Sequence, residues 1–310
     1  MVGRAERPAT GAERPPPRVR GRRIGWLDVV LLALVAAAAV WVIHRVDTRL
    51  TYTWNWSMIP GYVVFFDEAT GTWRSNLLLD GLVTTLRMTV AAGIMALVIG
   101  ALMAVARVSN VPSIRWLART YVELVRNLPP LIFIFVFYFF ISGPVINLLG
   151  VADWARELDG PARQVMAVLF GPPERFANFV TGTVCLALFE AAYVTEILRA
   201  GIQAVSQGQW EASQALGLSR WRTLRLIVVP QAVRKVVPPL TGQLISLVKD
   251  SSIVSLISVQ ELTFAGQQIS VATRKVFEVW LTVAAFYFAI CFTLSVVSRR
   301  LERHFGAARR

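Results

Sequence analysis

Apolar residues along this chain gather in long unbroken runs rather than alternating with polar ones. Runs suited to crossing about 30 Å of hydrocarbon fall at residues 26–43, 78–106, 121–142, 178–198, 237–258 and 277–298. Each reads as a helix, because a backbone in lipid must satisfy its own hydrogen bonds. No alternation of the kind that builds a barrel is present, and no short-period repeat. The pattern predicts an all-α, polytopic membrane protein with about six transmembrane helices.

Composition agrees: 55% of the 310 residues are hydrophobic, above the level of ordinary soluble domains, and mean hydropathy is +0.55. The net charge of +13 raises nucleic acid as a partner, but no zinc-finger spacing or aromatic RNA-binding signature accompanies it. The charge instead sorts by side. With the N-terminal tail placed inside, the inner segments hold 21 basic residues and the outer ones eight. The positive-inside rule therefore predicts both termini in the cytoplasm. Trp54, Trp56, Trp73 and Trp154 fall in the outer segments, as interfacial aromatics do.

Residues 1–25, rich in Pro, Arg and Gly, have little to bury and read as a disordered basic tail. The apolar run that follows is long for a signal peptide, and His44, Arg45 and Val46 stand where a small-residue cleavage site belongs. It reads as a retained first span. Cys185 and Cys291 lie in apolar stretches and the two histidines, His44 and His304, are distant in sequence, so neither a disulfide framework nor a metal site is expected.

One passage breaks the pattern. Residues 206–230, SQGQWEASQALGLSRWRTLRLIVVP, lie on the predicted inner side between the fourth and fifth spans. Ser206 with Gln209 fits a capping box, and Ala212, Ala215 and Leu216 then share one side of a short helix. Gly217 suits the left-handed turn that ends it. Ser219 can cap a second helix, with Trp221, Leu224, Ile227 and Val228 on one stripe and Arg222 and Arg225 pointing away, until Pro230 interrupts. A basic helix lying on the inner leaflet would show the same charge pattern, yet it needs neither a glycine hinge nor small alanines before it. A helix–turn–helix plug that docks on another protein needs both.

The passage resembles the EAA loop of bacterial ATP-binding-cassette importer permeases: Glu211-Ala212-Ser213, then Gly217, then Ile227, Val229 and Pro230, with Ser for the second alanine and Val for the usual Leu. AAYVTEILRAGIQAVSQGQWEASQALG, PQAVRKVVPPL and SLVKDSSIVSLI resemble the polar amino-acid branch of that family, as do DGLVTTLRMTV and RNLPPLIF upstream. The resemblance implies a type I ABC importer permease fold over residues 77–300. Residues 26–76 form an extra N-terminal span and outer loop, and 301–310 a second cytoplasmic tail. It further implies a permease subunit of an ATP-driven importer for polar amino acids in the bacterial inner membrane. Its partners would be ABC ATPase subunits, a second permease subunit, identical or related, and an extracytoplasmic solute-binding protein. The chain has no G-x-x-x-x-G-K-[ST] loop, so ATP and Mg would be handled by the partner. No bound cofactor, metal or catalytic residue is expected. Glu211, Ala212 and Gly217 would form the coupling surface, with Ile227 and Pro230 anchoring the second helix.

Polar groups at membrane depth are costly and tend to face a cavity or a partner. Gln243, Ser246 and Asp250 recur at helical spacing, and Lys249 adjoins them; the alternative is that Lys249 and Asp250 are neutralised by neighbouring helices and fix packing. In the fourth span Glu190, Tyr193 and Glu196 stand out. Glu196 matches a position where this branch commonly has glutamate, whereas Glu190 replaces a small or hydroxylated residue. Glu190 is thus either a substrate contact or an ion-pair partner, with Lys249 and Arg87 as candidates. These seven residues form the expected translocation path. Two other classes remain: a stand-alone ion-coupled transporter using Glu190, Glu196 and Asp250, and a membrane-anchored protein whose basic loops bind anionic lipid.

Overall fold

The computed structural model describes residues 25–49 and 52–306. Residues 1–24 of the expected N-terminal tail and 307–310 of the C-terminal tail lie outside the described residues. The chain forms two units, one ending at Thr53 and one beginning at Trp54. Within the first, helix α1 (Trp26–Arg49) has Trp26–Trp41 as a shorter apolar helix.

The second unit is helical apart from one hairpin. Among the described residues five helices are long and apolar enough to cross a membrane: Leu77–Arg107, Pro130–Leu148, Pro173–Gln203, Arg220–Ile257 and Val276–Arg300. In chain order the unit begins with a short helix α2 (Ile59–Val63) and strands β1 (Val64–Asp67) and β2 (Thr72–Ser75), antiparallel with Phe66 opposite Trp73. The first long helix, α3 (Leu77–Arg107), starts at Asn76, whose side chain accepts from the Leu77 amide at 2.8 Å.

The third expected span, 121–142, divides in two. An amphipathic helix α4 (Pro112–Arg126) buries Ala118, Val122 and Val125 and stops at Asn127, and a new helix α5 (Pro130–Phe137) starts after it. The cause is Pro129-Pro130: proline pushes its predecessor out of helical geometry, and Pro129 is held at ψ 140°. From α5 the helix passes through a π turn at Tyr138–Ser142 into α6 (Gly143–Leu148), carrying this span six residues beyond its expected end. Two short helices, α7 (Val151–Arg156) and α8 (Gly160–Phe170), return the chain to α9 (Phe176–Gln203).

The fifth span differs most. It is expected to begin near Pro238-Pro239, yet α12 (Val229–Asp250) holds both prolines in its interior. It continues N-terminally through a second π turn, Leu224–Val228, into the one-turn helix α11 (Arg220–Thr223). Both π turns lie just ahead of a proline, Pro144 and Pro230. Proline has no amide hydrogen for the helical ladder, and a wider i→i+5 turn re-pairs the backbone around the missing donor. A 3-10 segment (Ser251–Ile257), α13 (Leu262–Thr273) and α14 (Val276–Gly306) complete the unit.

The core is the packing of α3 on α9, with α12 across them. Met88 and Ala92 of α3 meet Cys185, Leu186, Phe189 and Ala192 of α9, sealed by Phe133, Leu247 and Val254. At the end of the bundle where α3 begins, Leu78, Leu262, Ile269, Val279 and Val283 tie α3, α13 and α14 together. At the other end Ile202, Val205, Leu224, Val228 and Ala232 root the inter-helix passage on α9 and α12.

Candidate functional site

The inter-helix passage folds as two helices about a tight turn. Helix α10 (Gln207–Ala215) follows Ser206, which occupies the N-cap position with extended ψ of 144° but makes no side-chain cap bond; the capping box is absent. Gln209 instead lets its side-chain oxygen accept from Gln231 Nε2 at 3.2 Å, linking α10 to α12. The Gly217 amide donates to Gln214 O at 2.9 Å and the Leu218 amide to Ser213 O at 3.1 Å, closing the helix with Gly217 at φ +69°. That is the left-handed termination that glycine permits. Ser219 caps α11, accepting from the Arg222 amide at 3.4 Å.

Burial separates anchor from surface. Ser213, Thr223, Leu224 and Val228 are buried and Ile227 half-buried. Glu211, Ala212, Ala215, Gly217 and Pro230 are exposed. Trp221, expected on the inward stripe, is instead 62% exposed, and Leu216 is 79% exposed. The π turn rotates the stripe: Thr223 takes the inward position and Trp221 is turned out. The tip of the loop is thus an apolar surface around a left-handed glycine, with small residues before it.

At membrane depth the expected path residues separate into three environments. Glu190 is 1% exposed and its Oε2 accepts from Gln243 Nε2 at 2.6 Å, while Oε1 is buried with no hydrogen-bond partner. Both residues line a cavity of about 180 Å³ with Gly93, Ala96, Leu97, Leu240 and Leu244. Asp250 is the neighbouring acid that interacts with Glu190. No ion pair joins Glu190 to Lys249 or Arg87 among the described residues, so the ion-pair alternative is replaced by a Gln243 contact. Lys249 is exposed, and Ser246 and Asp250 are half-buried outside the cavity lining.

Glu196 belongs to a different constellation. Its oxygens meet Arg107 Nη2 at 2.9 Å and Arg199 Nη2 at 2.7 Å, joining the ends of α3 and α9. Tyr193 packs on Phe189, centroids 5.3 Å apart, with the Arg126 guanidinium 5.4 Å over its ring.

The sequence reading passed over one further cluster. Glu261 is 0% exposed; its Oε1 caps α13 through the Phe264 amide (2.9 Å), and its Oε2 accepts from Tyr287 Oη (2.6 Å) and Thr85 Oγ1 (3.3 Å). A single acid just before an apolar helix, at its N-cap position, was the available signal.

A family model described as "Binding-protein-dependent transport system inner membrane component" matches residues 96–307. The chain belongs to that family. Members are transport components, not enzymes. Among relatives, the "Probable glutamine ABC transporter permease protein GlnM" of Bacillus subtilis (strain 168) is 33% identical over 234 residues, 74% of this chain and 95% of that protein. The "Glutamate/aspartate import permease protein GltK" of Escherichia coli O157:H7 is 33% identical over 226 residues, 73% and 92% of the two chains. A solved structure titled "Crystal structure of an amino acid ABC transporter with histidines" superposes with TM-score 0.62 at 28% identity, covering 82% of this chain and all of that one. An inward-facing MetNI methionine ABC transporter gives TM-score 0.53 at 20% identity over 74% of this chain and 96% of that one, a likeness of fold. The type I importer permease architecture expected from the resemblance is thereby established.

Proposed function

We propose that this chain is the permease subunit of an ATP-driven importer of polar amino acids, docked through residues 206–230 on a separate ATPase. The observation that carries the reading is the exposed apolar tip formed by Ala212, Ala215, Leu216 and Trp221 around the left-handed Gly217. Leu216 and Trp221 are left exposed among the described residues, and such a tip suits a groove on another protein. Relatives that act on glutamine, glutamate and aspartate support the substrate class. The excess of basic residues in the segments at this end supports a cytoplasmic location for the loop and both termini in the inner membrane.

Two copies of the permease, or one with a related chain, would enclose the path, and an extracytoplasmic solute-binding protein would deliver substrate. ATP and Mg would be used by the ATPase alone. The 38-residue helical run Arg220–Ile257 joins the loop to the region of Gln243 and Asp250, so movement of Gly217 and its neighbours would be carried to the cavity beside Glu190. Leu224 and Val228, buried against Ile202, Val205 and Ala232, would root the lever, with Ile227 half-buried and Pro230 exposed beside them. Within the path, Glu190 and Gln243 would contact substrate, with Asp250, Ser246, Lys249 and Tyr193 flanking; Glu196 would hold α3 and α9 in register at the inner end.

The test is copurification. A P-loop ATPase should accompany the tagged chain in mild detergent, and Gly217→Asp should abolish both that association and ATP-dependent uptake. A chain that purifies alone and drives uptake from an ion gradient would replace this reading with the stand-alone transporter.

A further inference from the structure

The ends of α3, α4, α9, α10 and α11 border an open cleft of about 450 Å³, lined in part by Gln207, Trp210 and Arg220 at the base of the loop assigned above to the ATPase. Arg107, Arg115 and Arg220 line it, with Gln203, Gln207 and Trp210, and no acidic side chain does. The positive charge on its walls is incompletely met. Arg107 gives Nη2 to Glu196, but its Nη1 is buried with no partner. Arg220 is satisfied only by neutral groups, donating Nη2 to Val108 O at 2.9 Å and Nη1 to Asn110 Oδ1. Arg115 is exposed and makes no ion pair among the described residues.

A buried guanidinium nitrogen without an acceptor has a hydrogen bond still to make, which an ordered water or a ligand oxygen would satisfy. Converging guanidinium forks match an oxyanion that offers several oxygens at once, above all a phosphate. The surroundings say where that phosphate comes from. Arg115 stands on α4, whose inward face is Ala118, Val122 and Val125, while Ile114, Trp116, Leu117 and Leu124 are exposed on the same helix. Apolar and aromatic side chains left open beside arginines mark a helix lying at the boundary between headgroups and acyl chains. The cleft therefore opens where a phosphate attached to acyl chains is at hand.

We propose that this cleft binds the headgroup of an anionic phospholipid through its phosphate, between Arg107, Arg115 and Arg220. The bound lipid ties α3–α4 and α9 to the base of the α10–α11 loop, so it sets how firmly the loop is held to the membrane core. The cytoplasmic placement of the loop proposed above makes the inner leaflet the source of that lipid.

The experiment is native mass spectrometry of the full chain with its copurified partners, after delipidation and exchange into phosphatidylglycerol. One phosphatidylglycerol per permease chain should be retained. Arg115→Gln should weaken retention about tenfold, the loss of one charge-assisted hydrogen bond. Arg115→Lys should restore part of it, and Arg225→Gln, an exposed arginine outside the cleft, should leave it unchanged. Unaltered gel-filtration elution of each variant separates lost binding from misfolding. A calorimetric titration of the delipidated protein with inorganic phosphate forms the second arm. Arg115-dependent binding of inorganic phosphate with no lipid retained would overturn the lipid and assign the cleft to a soluble phosphate. Retention equal in wild type and Arg115→Gln, or no retention with no phosphate binding, would overturn the site.

Discussion

Where α9 meets α12, the chain depends on the absence of one methyl group. A Cβ built on Gly201 overlaps Val236 Cγ1, while Val236 Cβ lies at 3.5 Å and Ala232 O at 3.6 Å, ordinary contact distances. Val236 is 4% exposed, and a β-branched side chain in a helix has one favoured rotamer, so it cannot swing aside cheaply. Gly201→Ala should cost about 1–3 kcal/mol as overpacking, reduced by up to about 1 kcal/mol from better helix propensity. Val236→Ala alone removes two buried methyl groups, about 1.5 kcal/mol. In the double variant the new methyl occupies the space Cγ1 left, so the two changes should compensate with a coupling of about 2 kcal/mol. For a chain of this size each kcal/mol moves the melting point by about 2–4 °C. The measurement is apparent Tm in mild detergent at one heating rate, because membrane proteins of this kind unfold irreversibly. Each single variant should melt a few degrees lower and the double variant near wild type. Additive effects in the double variant would refute the close approach of the two helices.

Three further outcomes are expected. Tyr287→Phe removes the 2.6 Å donor to Glu261 and leaves that buried oxygen with Thr85 at 3.3 Å; it should destabilise by about 1–3 kcal/mol, read as a lower apparent Tm with ATPase association intact. Glu190→Gln keeps shape but replaces the carboxyl that accepts from Gln243 with an amide, and should lower uptake about tenfold or more in proteoliposomes without changing Tm; unchanged uptake would remove Glu190 from the path. In the β1–β2 hairpin, the Thr70 hydroxyl above all, with the Ala69 amide and Arg74, holds the Asp67 carboxyl below its ordinary value of 3.8. A depressed folded value means that hairpin stabilisation is fully present above that ordinary value and is lost as pH falls through the folded one. The fluorine signal of fluoro-labelled Trp73, which packs edge-on to Phe66 at 5.5 Å, should therefore broaden only in strong acid, and Asp67→Asn should remove the transition.

Hydropathy alone placed most of the spans, because a membrane helix is specified by a one-dimensional property: enough consecutive apolar residues to cover the hydrocarbon. The left-handed end of α10 at Gly217 and the Ser219 cap were legible for a similar reason, since each depends on a few adjacent residues and their local backbone geometry. The capping box at Ser206 failed because side-chain rotamers answer to neighbours as well as to sequence: Gln209 has a partner in Gln231, twenty-two positions away.

What the sequence by itself determined is the membrane-spanning helical class, the family and the position of the inter-helix loop, all carried by residues close together in the chain. What only the tertiary structure decided is who meets whom across helices. It gave Glu196 to Arg107 and Arg199, Glu190 to Gln243 in a cavity apart from Lys249, and Glu261 to Thr85 and Tyr287. It also turned Trp221 outward through a π turn ahead of Pro230 and drew three arginines from three helices to one cleft. A charge in a span announces that it needs a partner, because leaving it bare in hydrocarbon is too costly. Which partner it finds depends on helix rotation and crossing, set by close packing at positions such as Gly201, and no local pattern encodes that.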